Sequence, residues 1–200
     1  MGQLVDDMLR LARLGQHPGQ SSEPVDVTAL VNACAERVRI ADPARTWRVS
    51  VAGGLAATGD EELLRRAVDN LLTNVLTHTP ADTAATITAS GDPGEVTIEV
   101  RDDSPGVPPD KLPHIFERFY RAADTRASRA PRSARLPGSG LGLAIAAEIA
   151  AAHAGAATAA PVSPHGLRVT LTLPVLDRCR GDAENVVRPG RVTGPRGRVV

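Results

Sequence analysis

The chain has 200 residues, enough for one domain of ordinary size with some additional segment. Its 23 basic and 23 acidic side chains cancel, which excludes a global field that would draw it to nucleic acid or to an anionic membrane. Two cysteines, Cys34 and Cys179, lie far apart without a C-x-x-C pair, a usage that argues against a metal site or a disulfide framework and suits a reducing cytoplasm.

Residues 2–14 place Leu4, Met8, Leu11 and Leu14 on one helical stripe that begins abruptly. Asp6 and Asp7 make this opening too acidic for a signal peptide, and no run approaches the roughly 20 apolar residues of a membrane span, so no membrane contact by this chain is expected. A Gly/Pro/Ser-rich connector follows at 15–24. Asp26 and Thr28 then offer caps to an amphipathic helix over 27–41, residues 47–51 alternate like a strand, and Asp60-Glu61-Glu62 opens a helix reaching residue 78. Runs at 84–90 and 95–101 flank Gly91-Asp92-Pro93-Gly94 and predict a hairpin. A Pro/Gly-rich loop from Asp102 leads to a short helix near Phe116, Phe119 and Tyr120, three of the chain's four aromatics. Residues 121–137 hold five arginines among Ala, Ser and Pro, and a mobile lid is expected there. A helix is predicted from Gly140 to His153 and a last strand at 166–173, and the tail from Leu176 shows no apolar periodicity.

Three stretches point to chemistry. Asn70, Asn74 and His78 recur every four residues and share one face of an otherwise apolar helix. Amides that face inward without partners cost about 1–3 kcal/mol each, a cost that a ligand or metal could offset; an exposed polar stripe is the other reading. Asp102 ends a strand just before the Pro105-Gly106 turn, where a carboxylate could accept from an exocyclic amine such as that of adenine, or serve only the turn. Gly138, Gly140 and Gly142 precede a helix, whose freed backbone amides suit a phosphate, although no strand leads directly into them as a dinucleotide fingerprint would need; a flexible loop before a helix is the other reading.

In this order the stretches resemble the N, G1, F and G2 boxes of the histidine kinase ATPase family, over residues 25–175. The resemblance implies a two-layer α/β sandwich of the Bergerat ATP-binding type, a mixed sheet with helices on one face. It divides the chain into the end of a second dimerisation-hairpin helix (1–15), a linker (16–25), the catalytic domain (26–175) and a disordered tail (176–200). By resemblance the ligand is ATP with Mg²⁺. Asn74 is similar to the Mg²⁺ ligand, and Asn70 and His78 line the same pocket; Asp102 matches the adenine-recognising Asp and Gly106 a G1 glycine. Phe116 and Phe119 match the F box, and Gly138, Gly140, Leu141 and Gly142 the G2 box. Arg121 is similar to an arginine aimed at the γ-phosphate.

Two positions depart from the pattern. Ser104 stands where the family usually has glycine, so strain is expected if that position needs a positive φ, and Thr77 stands where a Lys or Arg often reaches the phosphates. The resemblance implies transfer of the γ-phosphate to a histidine on a dimerisation hairpin and onward to a response regulator. The parent kinase would be anchored in the inner membrane, and a homodimer is expected only with the full hairpin. None of His17, His78, His114, His153 and His165 has a phosphoacceptor context, so no autophosphorylation of the chain alone is expected. The rival readings are a degenerate nucleotide-binding module and a Ser/Thr kinase of the anti-sigma-factor type. Nucleic-acid binding by the arginine-bearing tail finds little support, because that tail has no interleaved aromatics.

Overall fold

The computed structural model describes residues 23–120 and 140–175. Helix α1 (Val27–Ala41) starts where Asp26 accepts the Ala29 N–H at 2.8 Å. It buries Val27, Leu30, Val31, Cys34, Ala35 and Val38, the i, i+3, i+4, i+7 stripe of an amphipathic helix. Helix α2 (Glu61–His78) starts the same way, with Asp60 accepting the Leu63 N–H at 3.1 Å and Glu61 and Glu62 in its first turn, where the helix dipole favours acids. Helix α3 (Gly142–Ala152) is almost wholly small and apolar and packs directly on α2.

The strands are β1 (Pro24–Asp26), β2 (Trp47–Val51), β3 (Ala56–Thr58), β4 (Ala85–Asp92), β5 (Glu95–Asp102), β6 (Ala156–Pro161) and β7 (Leu167–Pro174). β1 and β3 form an antiparallel pair, and the other five make a mixed sheet in the order β2-β4-β5-β7-β6. Only β2 and β4 run parallel, and the crossover that a parallel pair requires contains α2. Alternation assigns the sheet faces: Ile87, Ala89, Val96, Ile98, Val100, Val169, Leu171 and Leu173 are buried in one core with the helices, whereas Thr86, Thr88, Thr97, Thr170 and Thr172 stand between them on the more open face.

Several expectations shift. The hairpin strands reach Asp92 and Asp102 and close through Pro93-Gly94, a tighter turn than the four residues read from sequence. The last helix begins at Gly142 and not at Gly140. Pro24 and Val25, expected in the linker, belong to β1, and Val25 is buried. β3 and β6 were not expected: one is three residues long, and the alanine-rich other shows no alternation of large and polar side chains. The helix expected at residues 2–14, the arginine-rich segment 121–137 and the tail from Leu176 lie outside the described residues. No described helix is long and apolar enough to cross a membrane.

One buried charge ties the lower edge together. The Arg45 guanidinium donates to Asp42 Oδ2 (2.9 Å), Thr79 Oγ1 (2.7 Å) and the Thr83 carbonyl (2.9 Å) and lies 5.8 Å from the centre of the Trp47 ring. It joins the end of α1 to the C-terminal cap of α2, and so steadies the end of α2 that carries Asn74 and His78.

Candidate functional site

A pocket of about 130 Å³ opens between α2, the segment after β5 and the first turn of α3. A single water needs roughly 10–15 Å³ by the same measure, so the space suits a larger ligand. Asn74, His78 and Thr79 line it from α2, and Asp102, Ser104, Gly106, Val107 and Pro108 from the segment that follows β5. Ile115, Tyr120, Leu143 and Leu167 complete it with apolar surface and one phenol.

The sheet wall is closed by its own hydrogen bonds. Asp102 is buried at the end of β5, and its Oδ1 accepts the Ser104 N–H at 3.0 Å. The Ser104 hydroxyl oxygen in turn accepts the Gly106 N–H at 3.1 Å. Gly106 has φ 81°, and a Cβ there would lie 2.8 Å from the Gly166 carbonyl oxygen, so both conformation and space demand glycine. The strain expected at Ser104 does not arise: among the described residues only Phe119 and Ala154 combine a side chain with positive φ. The left-handed position of this turn is Gly106, and Ser104 contributes a hydrogen bond that glycine could not make.

The helix wall is different. Asn70 Nδ2 is buried and has no hydrogen-bond partner among the described residues. Beside it stands Gly142, where a Cβ would lie 3.8 Å from Asn70 Oδ1. α3 starts there with no side-chain cap and no acid in its first turn, although a helix leaves its first backbone N–H groups without intrahelical acceptors. Gly140, with φ 69°, packs against the Phe119–Tyr120 backbone, with a Cβ position 3.0 Å from the Tyr120 carbonyl oxygen. The Phe119 N–H donates to the Gly140 carbonyl at 3.0 Å, which ties the aromatic cluster to the residues that lead into α3.

The residues singled out from sequence are thus divided. Asn74, His78, Asp102 and Gly106 line one pocket; Asn70 and Gly142 do not line it but meet each other one turn of α2 away from Asn74. Leu141 is buried in the core, Phe116 packs against the core, and Phe119 is half exposed with φ 64°. None of these three lines the pocket; of the aromatic cluster it is Tyr120 that does, its ring 5.6 Å from that of His114. Thr77, in the last turns of α2, does not line it either. Arg121 and Gly138 lie outside the described residues. The apolar lining from Ile115, Leu143 and Leu167 had no sequence signal of its own, since separate elements bring it together.

Cys34 takes no part. Burial pushes its thiol up to about 12, the nearby Asp69 carboxylate adds to the rise, and Arg37 only partly opposes it, so the thiol stays protonated. Arg37 is raised by its hydrogen bonds to Asp69, the shorter of them 2.6 Å. Among the described residues no group of three or more His, Cys, Asp or Glu could hold a metal ion. The oxygen of the Asn74 amide is a hard donor of the kind that Mg²⁺ accepts, and Mg²⁺ needs few protein ligands because it keeps several waters.

Known proteins resemble this arrangement. The family model for histidine kinase-, DNA gyrase B- and HSP90-like ATPases matches residues 59–177. The sensor protein SphS of Synechococcus elongatus is 36% identical over 159 residues, covering 78% of this chain and 38% of the relative. The sensor histidine kinase TrcS of Mycobacterium tuberculosis is 36% identical over 163 residues, covering 78% and 30%. The chain therefore spans only 30–38% of these relatives' length. Among solved structures, a mycobacterial sensor histidine kinase MprB superposes with a TM-score of 0.66 at 33% identity, covering 76% of this chain and 98% of the other. Full-length ShkA in complex with AMPPNP superposes with 0.69 at 30% identity, covering 86% and 35%.

Proposed function

The chain belongs to the histidine kinase-, DNA gyrase B- and HSP90-like ATPases, among the histidine kinase catalytic domains, and we propose that it binds Mg²⁺·ATP and passes the γ-phosphate to a histidine outside this chain, for relay to a response regulator. The observation that carries the reading is the buried amide Asn70 Nδ2, without a partner among the described residues, beside the start of α3 and one helical turn from Asn74, in whose pocket the opposite wall bears the buried carboxylate of Asp102. An amide donor without a partner among the described residues, next to a helix start with no side-chain cap, on one side, and a buried acceptor on the other, fit a ligand with an anionic tail and a base bearing an amine.

In this reading Asp102, held by the Ser104 N–H, accepts from the exocyclic amine of adenine, while Ile115, Leu143 and Leu167 cover the ring faces. The backbone N–H groups that open α3 and the Asn70 amide hold phosphate oxygens, and Asn74 presents its amide oxygen to the cation. Mg²⁺, when bound, neutralises phosphate charge and aligns the phosphates, which is most of what phosphoryl transfer asks of a site. Arg121 takes the γ-phosphate side by resemblance. Ser104 leaves the site intact, which supports an active domain over a degenerate one.

Of the chain's own histidines, His153 is bonded through both ring nitrogens, His114 pairs with Glu117 at 2.7 Å, and His78 lines the pocket. By resemblance we place the acceptor on a separate dimerisation hairpin of a membrane-anchored parent that works in the cytoplasm. Calorimetric titration with Mg²⁺·ATP tests the binding step, and Asn74→Ala should weaken it chiefly when Mg²⁺ is present. Labelled ATP tests the transfer step: acid-labile phosphate should form on a histidine hairpin supplied in trans and not on this chain. No binding up to millimolar nucleotide would overturn the reading, and labelling of the isolated chain would overturn the placement of the acceptor.

A further inference from the structure

We propose that His153 is a positioning residue for the phosphate end of the nucleotide site, acting from the far end of the two helices that form it. The inference rests on the nucleotide reading above and concerns a residue that lines no part of the pocket. His153 caps the C-terminus of α3, its Nδ1 lies 2.8 Å from the Ile149 carbonyl oxygen, and its Nε2 lies 3.0 Å from the Asp60 backbone nitrogen. A carbonyl can only accept and a backbone N–H can only donate, so one tautomer satisfies both: Nδ1 carries the proton and Nε2 accepts.

The acceptor meets the N-cap residue of α2. Asp60 caps α2, and the Gly59 N–H before it donates to the Glu23 carbonyl at 2.9 Å. A Cβ on Gly59 would overlap the imidazole, so the ring occupies space that only glycine leaves open. A ligand-like bond from the end of one helix thus holds the beginning of the other. α2 and α3 run antiparallel, and the ten residues from Asp60 to Asn70 rise about 15 Å, close to the roughly 16 Å of the eleven-residue α3. The clamp and the Asn70–Gly142 meeting point are therefore the two ends of one interface. α3 buries Ala144, Ile145, Ala146, Ile149 and Ala150. These apolar surfaces resist separation without direction, whereas the bond at His153 is directional.

Adenine recognition should depend far less on the clamp, because Asp102, Ser104 and Gly106 are held by the sheet and by each other, and of the residues that cover the ring only Leu143 comes from α3. The two halves of the ligand can therefore be separated by experiment. The full-length chain would be titrated with Mg²⁺·ATP and, separately, with adenosine, as wild type and as His153→Ala, His153→Gln, His153→Asn and Gly59→Ala, with a melting temperature for each. His153→Ala and Gly59→Ala should weaken ATP by about tenfold, the scale of one lost hydrogen bond, and leave adenosine within about twofold. Gln places an oxygen near the Nε2 position and should recover most of the ATP affinity. Asn can replace only the Nδ1 donor and should not. Equal losses for ATP and adenosine, unchanged ATP affinity, or equal behaviour of Gln and Asn would overturn the inference, and the Gln–Asn comparison decides even if the alanine variant does not fold. Wild-type chain that bound neither ligand would instead overturn the nucleotide reading, and the inference with it.

Discussion

The two walls of the pocket are built on opposite principles. On the sheet side, Asp102, Ser104 and Gly106 form a relay of hydrogen bonds, and backbone packs against backbone where Gly106 meets Gly166. On the helix side, a buried amide of Asn70 has no partner among the described residues, and α3 opens without a side-chain cap. A wall that satisfies itself can recognise a rigid group by shape. A wall with spare donors is complete only when something supplies acceptors. That asymmetry matches a ligand with one flat end and one charged end, and it separates what substitutions on each side should do.

The largest effect is expected where the sheet wall has no room to yield. Gly166 has φ 133°, and a Cβ there would overlap the Asp102 carbonyl oxygen. Gly166→Ala should therefore cost roughly 3 kcal/mol or more through backbone displacement and strain together, and adenosine binding should fall with it. Calorimetric unfolding and adenosine titration check this; a variant that melts with wild type would show that the wall is not preformed. Next comes Asp102→Asn, which preserves shape and can keep the Ser104 bond but turns an acceptor toward the ligand into a donor. ATP and adenosine should both weaken, by about 1.5–3 kcal/mol, the range of hydrogen bonds to charged groups. Stability should barely move.

On the helix wall the comparison predicts an opposite sign. Replacing the orphaned amide with an apolar group of similar size, Asn70→Leu, removes a buried donor without a partner and should raise stability by about 1 kcal/mol. The same change should lower affinity for ATP and spare that for adenosine. Thermal melts with and without Mg²⁺·ATP would show the variant more stable alone and less stabilised by ligand. A variant destabilised in the absence of ligand would mean that Asn70 serves the fold, and the contrast between the walls would fail.

What the sequence displays of this design follows from how local each feature is. α1 is legible to its last residue because its cap, Asp26, and its apolar stripe are neighbours in the chain. The β4–β5 hairpin is legible because Pro93-Gly94 declares its turn. The four-residue spacing of Asn70, Asn74 and His78 shows their shared face, and Asp102 stands out at a strand end. β6 is hidden by its alanines, and Arg45, a charge inside the fold, gives no hint of burial until Thr79 and Thr83 surround it. Tyr120 and Leu143 become pocket residues only when the segment after β5 and α3 meet. His153 reads from sequence merely as a helix end, because its partner Asp60 is 93 positions away.

The smallest effect tests whether every irregularity of the helix wall is owed to the ligand. α3 ends through Ala154, which has φ 55°, with the Gly155 N–H donating to the Ala150 carbonyl at 2.8 Å. A left-handed residue at this point of a helix end is usually glycine, because a Cβ costs about 1–2 kcal/mol there. Glycine would relieve that strain but loses about 0.4–1 kcal/mol through the greater freedom of the unfolded chain. Ala154→Gly should therefore gain roughly 0.5–1 kcal/mol, a rise of a few degrees in melting temperature for a domain of this size. Ala154 is exposed and lines no part of the pocket, and the imidazole of His153 keeps both partners, so affinity for Mg²⁺·ATP should stay within about twofold. A stabilised variant with unchanged affinity would separate the start of α3, which has no side-chain cap, from its strained end, and assign the latter to nothing more than local sequence. Lost affinity would mean that the conformation at Ala154 helps to aim His153, and the two ends of α3 would then have to be treated as one device.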